Sequence, residues 1–191
     1  MADPVLHLLS GPNGAGKSTL WKLVLDPVLH LEFVSADGIA QQHWPAEAES
    51  RSYEAARLAT ARRHELLAGR ASFATETVFS HESKVDLVSA AVGAGYLVTL
   101  HVVGIPEGLA VARVADRVAN GGHTVPAAKV RERYRRLWRH VAAAILIADQ
   151  AVVYDNTMAR EPFRPVAGFE RGMLTWSSWP AWAPRELQQL G

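Results

Sequence analysis

The stretch Gly11-Pro12-Asn13-Gly14-Ala15-Gly16-Lys17-Ser18 satisfies every fixed position of the pattern G-x-x-x-x-G-K-[ST]. The apolar run Val5-Leu6-His7-Leu8-Leu9 precedes it, and Thr19-Leu20-Trp21-Lys22-Leu23-Val24-Leu25 follows. Strand, glycine-rich loop and helix, in that order, form the context in which such a loop holds phosphate. The glycines let the backbone curl so that successive N–H groups point inward at anionic oxygens. The helix opening at Lys17 adds the partial positive charge of its N-terminus. Lys17 is long enough to reach terminal phosphates, and the Ser18 hydroxyl is placed to bind Mg²⁺. Residues Gly11, Pro12, Asn13, Gly14, Ala15, Gly16, Lys17, Ser18 and Thr19 are therefore expected to form a nucleotide site for ATP or GTP with Mg²⁺.

The remainder of the chain alternates strand and helix. The first helix, 17–25, is expected to stop at Asp26-Pro27. A short strand at 32–35 delivers Asp37-Gly38, and an alanine- and arginine-rich helix is expected over 46–67. A strand at 72–78 and a helix at 83–94 follow. The run 96–103 is almost continuously apolar, as a strand buried on both faces is. A helix over 107–119 ends at Asn120-Gly121-Gly122, and another opens near Pro126 and runs to about 148. Residues 151–155 read as the last strand. This pattern predicts an α/β fold of the P-loop NTPase or kinase type: a five-stranded, mainly parallel sheet with helices on both faces and a helical lid. The 191 residues suit one domain, with a tryptophan- and proline-rich extension over 157–191 packed on or near it.

Composition narrows the partners. A net charge of +1 gives no global reason to expect nucleic acid or an anionic membrane. The absence of cysteine rules out disulfides and thiolate metal sites and fits a reducing cytoplasm. Neither a signal peptide nor a membrane-length apolar run is read, so a soluble cytoplasmic protein is expected.

Ligands of parallel α/β sheets lie beyond the carboxyl ends of the strands. That rule gathers the phosphate loop, Asp37, Glu76 and Asn156 on one rim. Asn-Lys-x-Asp, which would read a guanine base, does not occur, and the strand at 96–103 does not end in the acidic residue of a motor or transporter ATPase. A compact kinase is the reading that remains. Asp37 is the candidate base that accepts a hydroxyl proton; the alternatives are an N-cap for residues 38–42 or a hold on the metal's water shell. Glu76, flanked by Thr75 and Thr77 in an apolar strand, reads as acceptor binding together with Thr77, or as half of a structural ion pair. The segment from Arg113 to Pro126 reads as a lid that brings Arg113 or Arg117, and then Arg131 or Arg135, over the phosphates. A solvated basic face is the alternative for Arg131 and Arg135, and His123 either touches phosphate or only shapes the turn. Trp176, Trp179 and Trp182 read as aromatic packing against the sheet, with a partner surface as the alternative.

Several segments taken together resemble the zeta toxin family of P-loop kinases, in particular its short bacterial branch. They are residues 11–19; Val34-Ser35-Ala36-Asp37 with Pro45 following; Phe73-Ala74-Thr75-Glu76-Thr77; Gly121-Gly122-His123-Thr124-Val125-Pro126 with Arg133-Tyr134 downstream; and Tyr154-Asp155-Asn156-Thr157. The resemblance implies phosphorylation of a UDP-activated amino sugar, chiefly UDP-N-acetylglucosamine at the sugar 3′-hydroxyl, with a protein antitoxin as possible partner. By position it implies Lys17 on phosphate, Ser18 on Mg²⁺, Asp37 as base, Glu76 on the sugar and lid arginines on the γ-phosphate. His123 stands where the larger toxins carry an arginine.

Overall fold

The computed structural model describes residues 3–119 and 125–190. β1 (Val5–Ser10), β2 (Glu32–Val34), β3 (Phe73–Thr77), β4 (Leu97–Gly104) and β5 (Gln150–Asp155) are the five strands expected from the sequence. They pair in parallel in the order β2-β3-β1-β4-β5. The strand that carries the phosphate loop is thus central, between β3 and β4, with Leu9 opposite Glu76 on one side and His101 on the other.

The sheet continues where aromatic packing alone was expected. β6 (Arg164–Glu170) lies antiparallel to β5, and β7 (Met173–Ser177) lies antiparallel to β6, giving seven strands. Arg171 and Gly172 both adopt positive φ, 47° and 77°, the geometry of a two-residue hairpin turn. Trp179 packs on Phe169 of β6, while Trp182 lies over Gly104 of β4. A last short helix, α8 (Arg185–Gln188), buries Leu187 completely.

Two helical expectations change. The helix after the phosphate loop does not stop at Asp26-Pro27. α1 (Lys17–Leu20) widens into a π-helical turn (Trp21–Leu25) and resumes as α2 (Asp26–Leu29). Pro27 falls in the first turn of α2, where its missing N–H breaks no helical bond, and His30 at φ 49° ends the run. The helix expected over 46–67 is split. α3 (Ala36–His43), capped by the Ser35 hydroxyl on the Gly38 N–H, stops before Pro45; turns fill 45–51, and α4 (Ser52–Ala68) follows. α5 (Ser83–Gly93), α6 (Glu107–Ala119) and α7 (Ala127–Ile145) lie as expected to within a few residues.

Alternation along the strands divides the core between the two faces of the sheet. Leu6, Leu8, Phe73, Val98, Leu100 and Val153 pack with α5 and α7 residues such as Val88, Leu137 and Val141. Leu9, Ala74 and Val103 meet Trp21, Ala110, Val114 and Val130 on the opposite face. Among the described residues no helix is long and apolar enough to cross a membrane.

Candidate active site

Between β1 and α1 the chain turns through Gly11, Gly14 and Gly16 at φ 140°, 76° and 96°. Space as well as conformation demands glycine here. A Cβ on Gly11 would lie 2.1 Å from the Val103 carbonyl oxygen, and one on Gly16 would lie 2.6 Å from Asn156 Nδ2. Lys17 Nζ donates to the carbonyls of Gly11 (3.1 Å) and Pro12 (3.2 Å) across the loop. Two outside braces fix the loop's shape. Asn156 Nδ2 donates to the Ala15 carbonyl at 2.8 Å, and Arg113 donates to the carbonyls of Gly14 (3.5 Å) and Asn156 (3.0 Å). Asn156, expected on the site's rim, is buried there with its amide nitrogen committed to the loop backbone.

A cleft of 590 Å³ opens over the loop and brings together Lys17, Ser18, Thr19, Asp37, Glu76, Thr77, Arg113 and Arg117. The capping role considered for Asp37 falls to Ser35, which leaves the Asp37 carboxylate, in the first turn of α3, exposed to the cleft. Glu76, the next-to-last residue of β3, the phosphate-loop strand's neighbour, accepts a hydrogen bond from the Ser18 hydroxyl at 2.8 Å. A hydroxyl and a carboxylate oxygen side by side form a hard oxygen pair that suits Mg²⁺ completed by substrate phosphates and water. Burial lowers the affinity of the Lys17 ammonium for its proton, the negative charges of Glu76 and Asp37 oppose that shift, and the nearby Arg117 adds to it.

Helix geometry redistributes the α7 arginines. Val130, Leu137 and Val141 are buried, and the half-buried Tyr134 donates its hydroxyl to the Ile105 carbonyl at 2.9 Å. At 100° per residue, that inward stripe throws Arg133 to one flank and Arg131 and Arg135 to the other. Arg133 accordingly lines the cleft. Arg131 and Arg135, expected over the phosphates or on a solvated face, turn to Glu107, at 3.3 and 3.8 Å. His123, with the Gly121-Gly122 element of the expected lid, lies outside the described residues.

Sequence reasoning passed over two cations in the same cleft, Arg63 of α4 and Lys84 of α5. Arg63 had a legible signal. It falls on the buried stripe Ala55, Ala59, Arg63, Leu66, where an unpartnered cation is unfavourable. Lys84 carries no such mark. On the sheet face opposite α5, His7 Nδ1 lies 3.0 Å from His101 Nε2, and His101 Nδ1 lies 3.3 Å from the Tyr154 hydroxyl. Burial and the neighbouring His7 push His101 down to about 3.

A central parallel sheet, a glycine-cradled loop at its carboxyl rim and flanking helices define a P-loop kinase-like α/β protein. The chain belongs to the AAA domain family, whose model matches residues 6–138. An uncharacterized protein of Haemophilus influenzae is 31% identical over 125 residues, spanning 65% of this chain and 88% of its own length. Solved structures carry the fold likeness further. The PezAT chromosomal toxin-antitoxin system of Streptococcus pneumoniae matches all of this chain and 79% of its own, with TM-score 0.60 and 14% identity. AvrRxo1-ORF1 in complex with AvrRxo1-ORF2 and sulphate ions matches 91% and 61%, with TM-score 0.69 and 18% identity. A gluconokinase from Sinorhizobium meliloti matches 81% and 84%, with TM-score 0.51 and 18% identity. The likeness read in the sequence is thus met, at the level of the fold, by the toxin-antitoxin system.

Proposed function

We propose that the protein is an ATP- and Mg²⁺-dependent kinase that phosphorylates a hydroxyl of a small molecule, with a UDP-activated amino sugar as acceptor. The observation that carries the kinase reading is the convergence of Lys17, Ser18, Asp37 and Glu76 on one cleft over a glycine-cradled loop. In this reading the loop N–H groups and Lys17 hold the β- and γ-phosphates. Ser18, with Glu76 beside it, would hold Mg²⁺, which would supply positive charge at the phosphates. The acceptor oxygen bonds to the γ-phosphorus while the bond from that phosphorus to the bridging oxygen breaks and ADP departs. The hydroxyl proton passes to the Asp37 carboxylate. Arg113 and Arg117 neutralise the charge that spreads over the transferred group. Thr77, at the same rim, is placed beside the acceptor.

The sugar nucleotide comes from the resemblance to zeta toxins, chiefly UDP-N-acetylglucosamine at its 3′-hydroxyl. A protein partner of antitoxin type belongs to the same reading, supported by the fold likeness to two proteins described with their partners. The test is incubation with Mg²⁺-ATP and a panel of UDP-sugars, followed by mass spectrometry. A product heavier by one phosphoryl group, absent with Lys17→Ala and Asp37→Ala, is the expected result. If no member is modified while ATP still binds, the sugar-nucleotide acceptor is wrong.

A further inference from the structure

The described ionisable groups of the cleft are unequal in sign. Six cations line it, Lys17, Arg63, Lys84, Arg113, Arg117 and Arg133, against two carboxylates, Asp37 and Glu76. This excess sits in a chain whose net charge is only +1. Five of the cations fall in two banks, with Arg133 of α7 apart. Lys17, Arg113 and Arg117 belong to the phosphate loop and α6, on the side of the nucleotide's phosphates. Arg63 and Lys84 belong to α4 and α5, with Arg63 on the β2–β3 side at Thr75.

The second bank has no structural explanation. Arg63 is 6% exposed, and among the described residues its guanidinium hydrogen-bonds two hydroxyls, Thr75 Oγ1 at 3.3 Å and Thr60 Oγ1 at 3.2 Å. Thr75 is itself committed, donating to the Val34 carbonyl at 2.6 Å. Among the described residues no carboxylate lies within ion-pairing distance of Arg63 or Lys84. Burial lowers the proton affinity of both, and the nearby Arg63 charge lowers that of Lys84 further. A buried guanidinium and a half-buried ammonium held together without a counter-charge are unfavourable in the free protein. A ligand that supplies the negative charge reverses that penalty and gains charge-assisted hydrogen bonds.

We propose that the acceptor carries its own anionic group, a phosphate or a carboxylate, and that Arg63 and Lys84 hold it while the hydroxyl faces Asp37. This rests on the kinase reading of the cleft but not on the identity of the sugar. It excludes neutral sugars and cationic antibiotics as acceptors. The two threonine hydroxyls keep the Arg63 fork oriented, and Ser80 adds a further polar group to the same wall.

The experiment titrates matched pairs into protein saturated with the ATP analogue AMP-PNP and Mg²⁺, read by calorimetry. The pairs are UDP-N-acetylglucosamine with N-acetylglucosamine, and gluconate with glucose. One anionic member of a pair is expected to bind and its neutral partner not. Which pair responds distinguishes a phosphate from a carboxylate source. Lys84→Met is expected to weaken that binding roughly tenfold to a hundredfold and to leave AMP-PNP affinity unchanged. Arg63→Lys, which keeps charge but loses the fork, is expected to fall between. Arg63→Met risks the fold, so Lys84→Met, on a half-exposed helix, decides the matter. Equal binding of neutral and anionic partners, no binding of either pair, or undiminished anion binding by Lys84→Met overturns the proposal. Failure to bind AMP-PNP removes the kinase reading instead; the same titrations without nucleotide then still judge the Arg63–Lys84 site through the Lys84→Met difference.

Discussion

Gly16 stands at φ 96° with the Asn156 amide 2.6 Å from where a Cβ would be, so an alanine there meets both strain and a clash. Gly16→Ala is expected to lose about 1–2 kcal/mol of stability in denaturant unfolding, from the left-handed backbone alone. It should lose nucleotide affinity as well, because the displaced Asn156 no longer holds Ala15. Asp37 presents the opposite case: it lies exposed in the cleft and its removal leaves the loop intact. Asp37→Asn is expected to lower turnover about 10²–10⁴-fold, the range for loss of a general base, with ATP affinity retained in a binding titration. His101 makes a third single-residue prediction. Its folded-state proton affinity is depressed to about 3, so between about 3 and the ordinary value near 6.5 the unfolded chain binds more protons than the folded one. Its contribution to stability is therefore present above pH 6.5 and lost as pH falls towards 3. Thermal unfolding followed from pH 7 to pH 4 should show this loss, and His101→Leu should flatten the slope.

The elements show which parts of the chain declared themselves. α7 carries two arginines turned to Glu107 and one in the cleft, a separation of about 160° or more around a single helix axis. Arg133→Gln should lower the phosphoryl-transfer rate at least tenfold, whereas Arg131→Gln and Arg135→Gln should stay within about twofold, since exposed ion pairs contribute little. Steady-state kinetics of the three variants separates the flanks. Periodicity made the inward stripe Val130, Leu137 and Val141 legible, and the phosphate loop, Asp37 and Glu76 announced themselves by residue type. The arginines were placed less well, because a charge run reads alike on every side of a helix until its packing partner is known. Arg63 was legible but unread: it shares the i, i+4 stripe of Ala55 and Ala59, which a helix begun at 46 contains as fully as one begun at 52. β6 and β7 were missed because proline and tryptophan drew attention to packing, while the Arg171-Gly172 hairpin turn went unread.

For the whole molecule, the two antiparallel strands decide where the sheet ends. β6 covers β5, its residues Val166, Ala167 and Phe169 are buried, and α8 fixes Leu187 in the main core. A chain cut after residue 157 would expose the β5 edge and uncover Val153, a template for pairing with other copies. Size-exclusion chromatography of that shortened chain should show aggregate in place of the monodisperse species. Recovery of a folded, nucleotide-binding monomer would mean that the extension is dispensable.

The bracing of the phosphate loop also bears on time. Gly14 and Ala15 precede along the chain the groups that hold them, Arg113 and Asn156, by roughly a hundred residues or more. Phe163, whose ring lies within van der Waals reach of Gly16, comes later still. Synthesis runs from the N-terminus, so the loop stays unbraced until those later residues have been made. A ribosome-bound fragment that stops short of β5 lacks the Asn156 brace and is expected to hold nucleotide poorly.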